Sequence, residues 1–503
     1  MSKPDAYAWA KDKLKPFVDL GVKGWKIDRG DMGENPTARQ NENVMLYDRM
    51  AFEALAASNG PDQLIVSRDT FDTGRKYTSV WSGDTQSTFT GVAYSLAEGL
   101  RSGAIVMPNW GSDIGGYLGQ PSEEVYARWL ELGAFSPIME AMVGGGQTPW
   151  YNYSPALVEI ARKHAALHHD LMPYARSVLF AATTTGAPLM RALVFAYPDD
   201  PKLANLWDEY LFGSELLVAP VITGGATGRS VYLPAGRWLD YNGRASIVGG
   251  GQTTMAAAPR DTIPVFVREG AIVPRGDVHR GNNNWTPDWK PSLRIEVFPS
   301  FRVRSHFDYY TGAAVVGIDA GGSGRDLTIQ LGDLALPGQL DVYVNAFASL
   351  KLDGAPLAAA DYSFDTSTHL LTVPWKGGKG TTTLVIEGAT SIYGDMNNTD
   401  PPIDAGMAPA VDAGEAVSGS GGADGAGGAP VTPADAGSAS GGSGGHGARA
   451  SDAGAEPPPA AAVAEGGCSC TTMREGHAGW AACAGCGLVL ALALARARRH
   501  RRP

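Results

Sequence analysis

Three acids stand in matching positions early in the chain, each just beyond a short apolar run: Asp28 after GWKI, Asp84 after SVWSG and Asp113 after IVMPNWGS. A carboxylate that ends an inward-facing strand is costly unless it is paired, because an unpaired buried charge forfeits its hydration. Paired carboxylates in one pocket suit glycosidic-bond cleavage, in which one attacks the anomeric carbon and the other protonates the departing oxygen. Taken singly, each acid is better explained as a helix N-cap or a loop acid in an ion pair. A fold that gathers them would change that balance, and in a parallel α/β barrel the carboxyl ends of the strands converge on a single pocket.

The surrounding sequence reads as such a fold. MSKPDAYAWAKDKLKPF lacks the pattern of a signal peptide and predicts an amphipathic helix with Ala6, Trp9, Ala10, Leu14 and Phe17 roughly on one side. A strand at GWKI follows, then a helix over about 43–58 and a strand LIVSR at 64–68. YTSVWSGD at 77–84 precedes a helix carrying Ala93, Leu96, Ala97 and Leu100; GAIVMPNWGSDIGGY supplies a further strand and loop; a helix near 123–132 leads into GAFSPIM. This is an α/β pattern of about five strand–helix units, short of the eight of a closed barrel. Past residue 185 the texture becomes short β-rich runs between Gly and Pro, such as YLFGSELLVAPVI and IPVFVREGAIVPRG, and SLRIEVFPS and TTTLVIEGA continue the style to residue 390. The predicted organisation is a partial (β/α)8 barrel over 1–184, β-sandwiches over 185–276 and 277–390, a low-complexity linker over 391–465 and an anchor tail over 466–503.

Composition narrows the partners. The formal net charge is −11 although five arginines crowd the last eight residues, which argues against a nucleic-acid partner. The 12 Trp and 18 Tyr fit either core packing or aromatic surfaces that stack on sugar rings. All four cysteines lie in the tail, at Cys468, Cys470, Cys483 and Cys486, so the body has no thiol nucleophile, thiolate metal site or disulfide. Residues 391–465, mainly Ala, Gly, Ser, Pro and Asp, lack the apolar surface that would offset ordering and read as a flexible spacer. AGWAACAGCGLVLALALA at 478–495 is about one bilayer long as a helix and runs into RARRHRR, which places the basic end on the cytoplasmic side.

In order, these segments resemble family 31 glycoside hydrolases, the group of α-glucosidases, α-xylosidases and sulfoquinovosidases. GVKGWKIDRGD resembles the family's nucleophile strand, SRDTFDTGRKYTSVWSGD its Arg-containing strand and Trp-x-Gly-Asp acid/base turn, and MPNWGSDIGGY its sugar-contacting turn. RWLELGAFSPIME is similar to the last barrel strand, and FGSELLVAPV and VYLPAGRWLDYNG to the first C-terminal β domain. The resemblance spans roughly residues 1–390. It implies Asp28 as nucleophile, kept ionised by cations such as Lys26 and Arg68, and Asp84 as acid/base. It further implies Lys26, Asp31, Arg68, Trp81, Trp110 and Asp113 as substrate-binding residues. The implied chemistry is retaining cleavage of α-linked glucosides or xylosides with no metal or organic cofactor, the two carboxyl groups standing roughly 5–5.5 Å apart.

Two departures bear on specificity and extent. Most of the family has Arg-x-His after FSP, whereas SPIMEAMVGGG places Glu140 and Met142 there. A methionine cannot donate a hydrogen bond to a sugar hydroxyl, and Lys26 leans toward the α-xylosidase-like branches. The chain opens in the helix before the family's fourth barrel strand, so an N-terminally truncated barrel without its first strands is expected. The tail resembles the carboxyl-terminal sorting signals of myxobacteria, which implies export and surface display, with Cys468 or Cys470 as a processing or lipid-attachment site and structural thiols as the alternative. The competing expectation is a catalytically inactive carbohydrate-binding or adhesion protein held at the membrane by its tail.

Overall fold

The computed structural model describes residues 1–28, 36–60, 63–142, 148–244, 247–278 and 288–393. Asp31, Cys468, Cys470, the spacer beyond Tyr393 and the whole anchor tail lie outside these residues. Among the described residues no helix is long and apolar enough to cross a membrane.

Five parallel strands pair in chain order: β1 (Gly24–Ile27), β2 (Leu64–Ser67), β3 (Ser79–Trp81), β4 (Trp110–Asp113) and β5 (Ile138–Glu140). With five strands described, the sheet is an open half-barrel rather than a closed ring of eight. The helices are α1 (Pro4–Asp19), α2 (Gln40–Asn59), α3 (Phe89–Ala104), α4 (Glu123–Ala134), α5 (Pro155–Asp170) and α6 (Met172–Thr185). Sequence sets their starts. Pro4 occupies the first turn of α1, where a missing N–H costs nothing. Thr88, Ser122 and Ser154 cap α3, α4 and α5, each hydroxyl accepting from a backbone N–H three residues on.

Several elements differ from the sequence expectation. Trp9 is exposed, and the buried member of α1 is Val18. The run Ile105–Val106–Met107 is not strand: α3 continues to Ala104, Val106 turns back in the left-handed region at φ 62°, and only Trp110–Asp113 pairs with β3 and β5. The unit between β2 and β3 has no α-helix, only a 3-10 turn over Asp72–Lys76. Strand Ile272–Arg275 pairs with Leu293–Val297 across the predicted 276/277 boundary.

The β portion comprises an antiparallel six-stranded sheet within Met190–Arg268 with a two-stranded ribbon beside it, then two six-stranded sheets reaching Ser391. One apolar core runs from Leu96 and Trp129 of the half-barrel through Phe212 to Ile295 and Ile386 of the later sheets. Arg128 of α4 fixes the join. Its guanidinium, 1% exposed, pairs with Glu131 at 3.0 Å and donates to the backbone carbonyls of Ala226, Ala258, Pro259 and Thr262 at 2.7–3.4 Å. Both ions are buried, and multiple acceptors offset the loss of hydration that such burial imposes.

Candidate active site

Alternation along each strand decides which side chains reach the pocket. On β1, Trp25 and Ile27 face the helices, Trp25 meeting Phe17 of α1 edge-on at 6.4 Å between centroids, and Lys26 points the other way. On β4, Ser112 faces α4, its hydroxyl accepting from the Trp129 indole at 3.0 Å, and Asp113 faces the pocket. Trp110 also lies on the helix side. Its ring sits so close to Gly99 of α3 that a Cβ there would come within 3.0 Å of it, and only 2% of it is exposed. Trp110 therefore packs between sheet and helix α3, and it also lines the cavity that reaches Asp84. Trp81, one residue beyond the helix-facing Val80, turns inward.

The carboxyl ends of the strands bring two charge clusters together. In the first, Arg68 follows β2 and reaches both predicted catalytic acids: its Nη1 donates to Asp28 Oδ1 at 3.0 Å and lies 3.7 Å from Asp84 Oδ2. Those two contacts cap the separation of the carboxylate oxygens at about 7 Å, close to the roughly 5–5.5 Å of a retaining pair. Gly83 makes the turn that delivers Asp84. Its φ is +71°, a region that favours glycine, and a Cβ would stand 3.0 Å from Arg68 Nε.

In the second cluster, the Lys26 ammonium bridges Asp113 and Glu140, touching Asp113 Oδ1 and standing 2.8 Å from Glu140 Oε1 and 3.4 Å from Met142 Sδ. Lys26 thus pairs across the sheet with the acids of β4 and β5, rather than with Asp28 as expected. Asp113 is fully buried, and its Oδ2 has no hydrogen-bond partner among the described residues. Burial pushes the Asp113 carboxyl up to about 7; Lys26 opposes that rise and the neighbouring Glu140 carboxylate adds to it. Trp81 floors both clusters. Its ring lies 3.9 Å below Lys26 Nζ and 5.6 Å from the Arg68 guanidinium, and its indole N–H donates to the Ile27 carbonyl at 3.3 Å. A cavity of 630 Å³ extends from Arg68, Trp81 and Asp84 along α3, past Tyr94 and Arg101, to Trp110.

Five of the predicted site residues therefore meet at one end of the sheet (Asp28, Asp84, Lys26, Arg68 and Asp113) with Trp81 beneath them. Glu140 joins them, although it was absent from the predicted set. The signal that found the other acids also marks it, since it closes an inward-facing strand. The chemistry on offer is a pair of acids bridged by an arginine beside a sugar-sized hollow, with a second pair held by a lysine.

Comparison with known proteins identifies the domains that hold these residues. Residues 1–178 match the glycosyl hydrolases family 31 TIM-barrel domain, and residues 186–273 match the family 31 C-terminal domain. The chain is similar to Alpha-glucosidase 2 of Bacillus thermoamyloliquefaciens, 31% identical over 313 residues covering 57% of this chain and 39% of that protein. It is also similar to Isomaltosyltransferase of Sporosarcina globispora, 30% identical over 289 residues, 53% of this chain and 26% of the relative. The structure resembles a Flavobacterium johnsoniae GH31 dextranase complexed with glucose, with a TM-score of 0.70, 25% identity and coverage of 77% of this chain and 55% of the dextranase. In each case the match spans less than two thirds of the relative. The chain thus carries two domains of glycosyl hydrolase family 31, the barrel domain that holds the acids and the β domain that follows it.

Proposed function

We propose that this protein is a retaining α-glycoside hydrolase that cleaves α-linked glucosides or xylosides by double displacement. The observation that carries this reading is Arg68 Nη1 reaching both Asp28 and Asp84 at the carboxyl end of the parallel sheet. In the first step Asp28 attacks the anomeric carbon while Asp84 gives its proton to the departing oxygen, leaving a glycosyl ester on Asp28. In the second, Asp84 takes a proton from water, the resulting hydroxide equivalent attacks the same carbon, and the Asp28 carboxylate departs. Arg68 holds Asp28 in place by a hydrogen bond of 3.0 Å. The similarity to an α-glucosidase and to a dextranase with bound glucose favours the glucoside class.

The test follows the anomeric protons of 4-nitrophenyl α-glucoside and α-xyloside by NMR during turnover. The α-anomer is expected as the first product, followed by slow mutarotation. A β-anomer appearing first overturns the double displacement, and the absence of turnover favours the second reading, a carbohydrate-binding surface protein without catalysis. That reading draws its support from the open, five-stranded sheet.

Display at the cell surface through residues 466–503 is part of the same proposal, supported by the apolar run ending in arginines. Deleting 466–503 should move the protein from the membrane fraction to the medium. Continued membrane association of the shortened chain would remove the anchor from the account.

A further inference from the structure

The three N–H groups of a lysine ammonium are its whole donor capacity, and Lys26 has three acceptors around it: Asp113 Oδ1, Glu140 Oε1 and Met142 Sδ. The Trp81 ring covers a further side at 3.9 Å. Lys26 is thus spent within the protein and offers no donor to a sugar. The two acids it holds are not spent. Asp113 is fully buried with Oδ2 unpartnered among the described residues, and Lys26 is bonded to only one of the two Glu140 oxygens. The Glu140 side chain is 27% exposed.

We infer that Glu140 is a specificity-determining, sugar-contacting residue, that Lys26 is a positioning residue which presents it alongside Asp113, and that the pair selects a neutral polyhydroxylated sugar over an anionic one. The inference rests on the glycosidase reading and deepens it. Carboxylate oxygens accept hydrogen bonds and donate none when ionised, so they match sugar hydroxyls used as donors. A sugar bearing a carboxylate or sulfonate would instead meet Asp113 and Glu140 as like charges. The cations described at the pocket, Lys26 and Arg68, are each already bound to acids. Asp113, with its carboxyl pushed up to about 7, can also share a proton with Glu140, which keeps the two acids compatible at close range.

The test compares the full chain with Glu140→Gln, which keeps a carbonyl oxygen for Lys26 but removes the charge. The substrates are 4-nitrophenyl α-glucoside, α-xyloside and α-glucuronide. The wild-type chain should turn over a neutral glycoside at least about a hundredfold better than the glucuronide, in keeping with rejection of a substrate that leaves buried polar groups mismatched. Glu140→Gln should raise KM for the neutral glycoside about tenfold with kcat nearly unchanged, as expected for loss of binding shared by ground and transition states. It should also shrink the neutral-to-anionic ratio. A Glu140 with only a structural role would lower thermal stability and kcat and leave that ratio where it was, and this result overturns the inference. So does a wild-type chain that prefers the glucuronide. Titration with 1-deoxynojirimycin separates failure here from failure of the glycosidase reading. A wild-type chain that neither cleaves any glycoside nor binds the imino sugar defeats the glycosidase reading itself. In a chain that binds without cleaving, unchanged affinity in Glu140→Gln defeats the specificity role alone.

Discussion

Asp28→Ala should lower turnover of an aryl α-glucoside by roughly 10⁴-fold or more, since removing a covalent nucleophile leaves only the residual catalysis of the remaining groups. The fold should survive. Asp28 has 36% of its side chain exposed, and Arg68 keeps Asp84 as a neighbour at 3.7 Å. The loss of rate should therefore come with little change in the thermal midpoint. Azide gives the assignment a second readout. In the space left by the carboxylate it can attack the anomeric carbon from the same face while Asp84 protonates the leaving oxygen, so a β-glycosyl azide should accumulate. Wild-type-like turnover in the variant would refute the nucleophile role, and rescue that gives an α-azide would place the attack on the wrong face.

Arg128→Met is expected to have the largest effect on stability, a loss of about 3–5 kcal/mol, the usual range when one partner of a buried ion pair is removed. Glu131 is fully buried beside it, with its carboxyl already pushed up to about 8 by burial, and would be left buried without its partner. The carbonyls of Ala226, Ala258, Pro259 and Thr262 would lose a donor as well. Pairing the change with Glu131→Met should recover most of the loss, because an apolar pair of similar volume carries no desolvation penalty. Denaturant unfolding of both variants measures this. A single variant within 1 kcal/mol of wild type, on the scale of an ordinary surface change, would show that Arg128 does not hold the two parts together.

The sequence disclosed the strand ends better than the strands themselves. Asp28, Asp84 and Asp113 were legible because an acid after an apolar run has few structural excuses, and Glu140 obeys the same logic. Trp110 was hard to place because a strand of four residues has no reliable phase: one position decides which face an indole takes, and Gly99 on α3 receives it here. Ile105–Met107 misled for a related reason, since an apolar run of that length fits a strand or the end of a helix equally. Lys26 was placed near the right acids but paired with the wrong ones. Its neighbours Asp113 and Glu140 lie far along the chain, and only the parallel register of β1 with β2, β3, β4 and β5 brings them to its side.

The way Arg128 grips the β domain sets a rule for which residues there can drift. The guanidinium reads main-chain oxygens at Ala226, Ala258, Pro259 and Thr262 and none of their side chains. Side-chain variation at Ala226, Pro259 and Thr262 should be tolerated so long as the loop paths are kept, whereas the buried Ala258 is held small and the arginine has no substitute with the same fan of donors. A replacement β domain would have to reproduce both those loop paths and the apolar core that crosses the joint at Phe212.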